Sequence, residues 1–371
     1  MQTYRLALIG FGNVGQGFAQ IIKERSELLT RQFGAYLQIV AVCDMLKGSV
    51  YDPSGLDPAS LLDSIRDTGT LDLVPAPVRS LNALTTIRES NADVIVELSY
   101  TDLKTAEPAL IHLRQALKLG KHVITTNKGP IALRYHELQA LACAHGVQIG
   151  MEGTVMSGTP ALHLGQDLLA AAGIQRIEGI VNGTSNYILT QMENGAAYAA
   201  ALAEAQARGY AEADPTGDVE GYDAAAKMVI CANLLMGASM SLPAVDRIGI
   251  THLTTQDFTS ARAKGEVWRL IGCVEKSNGN ITACVRPVCI PTTHPLASVS
   301  GATNALTFTT ELLGDVTIIG PGAGRLETGY ALVCDLLAIH RKRTKECVFH
   351  VGDSLFRQEV NHAHVTQRRV G

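Results

Sequence analysis

Through the first 150 residues, short continuous apolar runs alternate with stretches of helical spacing. "YRLALIG" (4–10) is nearly all apolar, the pattern of a strand buried on both faces. Val14, Phe18, Ile21, Ile22 and Leu28 then fall near helical spacing and predict a helix. Further strands are expected in "LQIVAVCD" (37–44), "ADVIVELS" (92–99), "KHVITT" (121–126) and "VQIGME" (147–152). Helices are expected through 109–120 and through 133–146, the second ending at Gly146. This alternation predicts an α/β fold with a Rossmann-like, doubly wound parallel sheet over residues 1–151. The proline-bearing segment 48–81 interrupts it, with short helices and loops expected at the domain's edge.

Beyond Met151 the pattern changes. "QRIEGIVNGTSNYIL" (175–189) reads as a strand, a turn at Asn182–Gly183 and a helix. An alanine-rich helix ends at Gly209, and a longer one runs through 220–237. Residues 279–291 and 304–320 are rich in Thr, Val and Ile, which predicts a second sheet. A final helix over 325–343 carries its basic residues at the C-terminal end, where they suit the helix dipole. Residues 152–318 are therefore expected to form an α+β domain, and the polar tail 346–371 carries no assigned element.

Composition narrows the class. A 46% hydrophobic, 18% charged chain of 371 residues is globular and long enough for two domains. A net charge of −4 gives no footprint for nucleic acid. No apolar run approaches the roughly 18 to 20 residues of a membrane span, and no secretory signal is evident. The eight cysteines make no CxxC pair, which suits buried thiols in a reducing, cytoplasmic setting.

"GFGNVG" (10–15) sits between an expected strand and an expected helix, the context that turns a weak GxGxxG match into a dinucleotide site. Gly10 permits the tight turn, Gly12 lets main chain approach a pyrophosphate, and Gly15 allows close helix–strand packing; Asn13 and Val14 open the helix. The free N–H groups there favour phosphate. Asp44, ending the second strand, is the candidate for the ribose 2′-hydroxyl and favours NAD; Lys47 could instead meet the 2′-phosphate of NADP. Ser99 ends the 92–99 strand on the same sheet edge, and Lys128 in "TTNKGP" lies just past the next.

The second half offers a different chemistry. Gly183 and Thr184 stand at a strand-to-helix turn that could hold a carboxylate, although Thr184 or Ser185 could simply cap the helix. In "GYAEADPTGDVEGYDAAAK" (209–227), Asp223 and Lys227 share a helix face at i and i+4. An exposed pair would be worth only about 0.3–0.5 kcal/mol. The apolar continuation "MVICANLLM" instead carries the helix into a core, where a lysine must be paired or functional. Glu212, Asp214 and Asp218 precede the same helix, a set suited to binding an ammonium group next to a proton-transfer lysine.

These residues together resemble homoserine dehydrogenase. The stretch 205–227 is the specific part; "NGTSNYIL", "TTNKGP", "EGTVMSGTP" (152–160), "HPLASVSGATNAL" (294–306) and "GPGAGRLETGYALVCDL" (320–336) follow in family order. The resemblance covers roughly residues 4 to 340. It implies NAD(P)-dependent interconversion of L-homoserine and L-aspartate 4-semialdehyde, in threonine and methionine synthesis. It implies Lys227 as catalytic lysine, Lys128 as a second lysine, Glu212 and Asp223 as substrate-binding acids, and Asp218 as a further acid. It also implies cofactor contacts at Gly209, Gly322 and Gly324, with 319–345 returning to the cofactor domain. A sodium or potassium ion, held mostly through backbone carbonyls, is implied at Glu152, Val155, Ser157 and Thr159, and a homodimer through the second sheet. The chain leaves no room for the C-terminal regulatory domain of longer members, so threonine control through it is not expected. The alternatives are another two-domain NAD(P) oxidoreductase, acting on a related amino or sugar alcohol, and a non-enzymatic NAD(P) sensor.

Overall fold

The computed structural model describes residues 1–344; the tail 346–371 lies outside the described residues. The first sheet has seven strands in the order β4-β3-β2-β1-β5-β6-β7. They are β1 (Gln2–Ile9), β2 (Ala35–Asp44), β3 (Gly48–Tyr51), β4 (Val78–Arg79), β5 (Val94–Glu97), β6 (His122–Thr125) and β7 (Ile149–Gly150). β2, β1, β5, β6 and β7 are parallel, as the apolar runs predict. Both faces of β1 are buried: Leu6 and Leu8 pack with Phe18, Ile22 and Leu336, while Ala7 and Ile9 pack with Ile95 and Leu113.

Two details depart from the expected pattern. The 48–81 segment holds a helix, Pro58–Thr68, but also β3 and β4, which extend the sheet antiparallel. Four- and two-residue strands leave too short an apolar signature to read. The expected 147–152 strand shrinks to the two residues of β7, because the chain turns away into a short 3-10 turn at Glu152–Thr154.

The second sheet has the order β13-β12-β8-β10-β11-β9. Its strands are β8 (Ile174–Ile180), β9 (Asp246–Arg247), β10 (Glu266–Ser277), β11 (Asn280–Pro291), β12 (Thr303–Thr310) and β13 (Gly314–Pro321). All pairings are antiparallel except β11 with β9. β10, which the pattern of the sequence did not single out, joins β8 to β11. The helix Tyr222–Leu235 is buried continuously from Ala224 to Asn233, so Lys227 does enter a core. The final helix, Arg325–Thr344, returns to the first sheet and packs Leu332, Val333 and Leu336 beside Leu6 and Phe18. Among the described residues no helix is long and apolar enough to cross a membrane.

Candidate active site

The glycine turn connects β1 to the helix Asn13–Phe33. Gly10 has φ +101°, and a Cβ there would stand 2.5 Å from the Leu98 carbonyl oxygen, so no other residue fits without a shift. Gly12 occupies the N-cap position without a side-chain hydrogen bond, and a Cβ built on it meets nothing within 4 Å. The first N–H groups of the helix therefore face open space, a cradle that fits the pyrophosphate of a dinucleotide. Gly12, Asn13, Val14 and Gly15 line a cleft whose other walls include Ser99, Lys128, Ser157, Lys227 and Gly322.

Asp44 ends β2 and accepts three main-chain hydrogen bonds, from Phe11 at 2.7 Å, Leu46 at 2.9 Å and Lys47 at 3.0 Å. Burial works against its charge, but these donors and the Lys47 ammonium outweigh it, so its carboxyl lies below the usual carboxylate range. The residue thus closes its own turn and ties it to the glycine loop. Ser99 is held by Glu97, a fully buried carboxylate that accepts from both its hydroxyl and its N–H and also faces His112 Nδ1 at 3.2 Å. Neither Glu97 nor His112 stood out in the sequence, where a single acid in an apolar strand carries no spacing signal.

The second wall is built from side chains. Asp223 stands between two lysines, with Lys227 Nζ at 2.7 Å and Lys128 Nζ at 3.1 Å. Lys227 also donates to the Val181 carbonyl at the end of β8. Lys128 opens the helix Lys128–Ala144, whose cap, Asn127, further anchors to the Ser99 and Tyr100 carbonyls. Asn182 donates to Asp218 at 2.7 Å and to Asp223 at 3.0 Å while its oxygen caps the helix Gly183–Glu193 at Ser185 N. The cap is therefore Asn182, not Thr184 or Ser185. Thr184 donates instead to the Tyr210 carbonyl at 2.6 Å. An asparagine before glycine at a strand-to-helix turn signals a cap; its second role, bridging two acids 36 and 41 residues away, has no local signal.

The charges divide the two lysines. Burial pushes the Lys227 amine below the usual lysine value, and the Lys128 charge adds to this, while Asp223 opposes it. Lys128 moves the other way, because Asp223 outweighs its burial. Asp223 is held well below the carboxylate range: burial opposes this, but Lys128 and Lys227 prevail. Asp218 is raised by burial and by the Asp223 charge, against the Asn182 hydrogen bond, and has no direct ion pair among the described residues.

Two candidates, Glu212 and Gly209, stand on the surface. Glu212 is exposed and its carboxylate makes no hydrogen bond or ion pair among the described residues; only its carbonyl is used, by Gln206. Gly209 has φ +74° and ends the helix Tyr198–Ala207 on the surface. Gly183 packs against the Ala302 carbonyl, and its N–H and that of Thr184 lie in the first helical turn, beyond reach of any helical carbonyl. Gly324, at φ +143°, precedes the final helix.

Side-chain oxygens of the 152–159 loop are engaged by neighbouring segments of the chain. Glu152 accepts from Leu162 N at 2.9 Å and His163 N at 2.7 Å, Ser157 shares a hydrogen bond with Thr328, and Thr159 donates to the Pro321 carbonyl. Burial pushes the Glu152 carboxyl up to about 7. Among the described residues no group of three His, Cys, Asp or Glu is placed to hold a metal. The Val155 and Ser157 carbonyls accept no hydrogen bond from described residues, and Met156 and Ser157 adopt left-handed backbone at φ 58° and 55°. Main-chain oxygens are of the kind that suits a hard cation.

Comparison with known proteins agrees with this geometry. Residues 10–152 match the model of the homoserine dehydrogenase NAD-binding domain, and 160–337 match that of homoserine dehydrogenase. A protein from Pseudomonas canavaninivorans described as an NAD(+)-dependent homoserine dehydrogenase is 47% identical over 93% of this chain and 99% of its own length. The homoserine dehydrogenase of Methanocaldococcus jannaschii is 37% identical over 92% of this chain and 99% of its own. That of Bacillus subtilis is 34% identical, and 73% of its length is covered. A crystal structure of a putative homoserine dehydrogenase from Archaeoglobus fulgidus superposes with a TM-score of 0.83 at 37% identity, covering 91% of this chain and 99% of that one. A nucleotide turn and a paired-lysine cleft in this order, matched along nearly the whole described chain, place it without ambiguity: the chain belongs to the homoserine dehydrogenase family.

Proposed function

We propose that Lys227 is the acid/base of the reaction and that Asp223 holds it and Lys128 in their working places. The activity itself follows from the family: NAD(P)-dependent interconversion of L-homoserine and L-aspartate 4-semialdehyde. The cofactor, when bound, accepts or returns the hydride at its nicotinamide. The remaining task is a proton. In oxidation a base must take the hydroxyl proton, and a buried amine with a depressed pKa suits that role at moderate pH. Asp223 and the Val181 carbonyl engage two of the three ammonium hydrogens, leaving one for the cleft that Lys227 lines. In reduction the protonated amine returns that hydrogen to the alkoxide. Lys128, pushed the other way, keeps its charge and stabilises the developing oxyanion. The opposite shifts of two lysines on one carboxylate carry this assignment.

Asp218 lacks an ion-pair partner, and the α-ammonium of homoserine supplies one; Glu212 meets the same group from the 209–215 loop. The substrate carboxylate takes the Gly183 and Thr184 N–H groups at the helix start. Gly209 and Gly324 offer main chain to the cofactor from their loops. Asp44 favours NAD over NADP, since an ionised carboxylate repels a 2′-phosphate; the relative from Pseudomonas canavaninivorans is described as NAD(+)-dependent. A sodium or potassium ion on the Val155 and Ser157 carbonyls would brace the 152–159 loop. We read the protein as a cytoplasmic homodimer, and exposed Ile319, Leu326 and Tyr330 beside a cavity of about 740 Å³ support the second half of that reading.

Following NAD(P)H absorbance with L-homoserine and each cofactor tests the assignment. Lys227→Ala is expected to lose roughly 10³-fold in kcat while binding NADH within twofold of the parent protein. An unchanged kcat would remove Lys227 from the reaction.

A further inference from the structure

Among the buried polar side chains of the strand pair β12–β13, Thr307 and Thr310 are hydrogen-bonded and one is not. Asn304 is the second residue of β12, fully buried, and neither its Oδ1 nor its Nδ2 has a hydrogen-bond partner among the described residues. A buried amide with both ends unpaired is costly, and such groups are rare in folded chains. Its position is specific. Asn304 pairs with Gly320 of β13, and it stands one residue beyond the rung that joins Ala305 to Ile180. That is the end of β8, next to Val181, whose carbonyl receives Lys227.

The segment facing Asn304 is the one that crosses back from the second sheet to the cofactor domain. A Cβ built on Gly322 would lie 2.1 Å from Asn304 Cγ, 2.2 Å from Nδ2 and 2.3 Å from Oδ1. The amide therefore rests directly on the Gly322 α-carbon, and only glycine allows it. Gly322 and Ala323 also line the cleft. Thr159 packs in the same way on Gly320, the ladder partner of Asn304, but its hydroxyl is satisfied by the Pro321 carbonyl at 3.1 Å. Of the two polar side chains gripping the crossing segment, one is paired and the other is not.

We propose that Asn304 is a positioning residue for cofactor: entry of NAD(P) into the cleft shifts the Gly322–Gly324 main chain so that its N–H and C=O groups pair with the Asn304 amide. An unpaired buried amide carries a cost that this pairing relieves, so nucleotide binding and pairing favour each other. Binding is thereby coupled to the seating of the segment that joins the two domains beside Lys227. The inference rests on the cleft being the cofactor site.

The test uses cofactor binding without homoserine. NADH and NADPH are titrated by fluorescence into the parent protein and into Asn304→Leu, and the thermal midpoint of each cofactor-free protein is measured. The expected result is a Kd raised about tenfold, as for loss of hydrogen bonds made only in the complex. The cofactor-free variant should unfold at the same or a higher temperature, because an unpaired amide has been replaced by an apolar group of similar shape. In the parent protein, hydrogen exchange at the Gly322, Ala323 and Gly324 amides should slow on adding NADH, a measurement that needs no variant. A Kd within twofold of the parent value would overturn the proposal, as would a cofactor-free variant markedly less stable than the parent, or unchanged exchange at all three amides. Failure of the parent protein to bind either nucleotide would overturn the reading of the cleft itself, and is separable from these.

Discussion

The glycine turn and the two lysines of the lysine–aspartate cluster line one cleft, and the turn and the cluster hold charge by opposite means. The turn uses main-chain N–H groups at a helix start, supplied by six consecutive residues and needing almost no side chain. The cluster uses full charges that are paired, and its members come from three elements: the starts of the helices at Lys128 and Tyr222 and the end of β8 at Val181 and Asn182. Fixed dipoles suit a ligand whose phosphates stay charged throughout. A proton carrier needs a group whose charge can change, and so needs neighbours that set its pKa.

The two regions should therefore break differently. Asp223→Asn leaves two lysines facing each other in a buried site, and is expected to cost about 3 kcal/mol, in the range for stranding a buried charge. Urea denaturation reads this, and a loss below about 1 kcal/mol would mean that the cluster is effectively solvated. Gly10→Ala forces a Cβ against the Leu98 carbonyl at a left-handed φ, with an expected cost of about 2 kcal/mol. Its activity loss should appear as a raised cofactor KM, with kcat at saturating cofactor within twofold of the parent; a selective loss of kcat would contradict the division of labour.

Glu212→Gln addresses substrate binding alone. The homoserine KM should rise about tenfold, the worth of one charge-assisted hydrogen bond, with kcat and NADH affinity unchanged. No change in KM would leave Asp218 as the ammonium partner.

The pH responses give the finest comparison. The Lys227 amine is depressed, so the oxidative kcat should rise with pH through a midpoint below 10.5. Asp223→Asn removes the charge that opposes the depression and should move that limb to lower pH. For stability the signs run as follows. Asp223 titrates below its ordinary 3.8 in the folded protein, so its contribution is present above that pH and is lost as pH falls through the folded value. Lys227 is lowered too, so the unfolded chain binds more protons just below pH 10.5, and its share of stability rises with pH across that window. Asp44 gives the turn an acid limb of the same sign as that of Asp223, from main-chain donors rather than lysines. In Asp223→Asn, acid unfolding should retain only the remaining carboxylate limbs, as a pH series of thermal midpoints would show.

Much of this was legible in the sequence. Five parallel strands are announced by apolar runs because a strand buried on both faces has no polar alternative. The turn is legible because its six residues act within one local geometry. Burial of Lys227 follows from the apolar residues after it on its own helix. Register, pairing and long-range contact are another matter. The sequence does not say that Asn182 would reach both Asp218 and Asp223, that Glu97 would hold Ser99, or that Glu152 would spend its carboxylate on the 162–163 main chain. β3, β4, β9 and β10 also escaped a reading based on periodicity.

By itself, the sequence determined the parts whose physics is local: apolar runs, the glycine turn, the i, i+4 pairing of Asp223 with Lys227, and the order of motifs that marks the family. The tertiary structure alone decided how the charges are shared. It brought Lys128 across from another domain to the same carboxylate, and thereby drove two chemically identical amines in opposite directions. It also set Asn304 unpaired beneath Gly322. A pKa and an unmet hydrogen bond are properties of surroundings, and those surroundings are assembled from residues far apart in the chain.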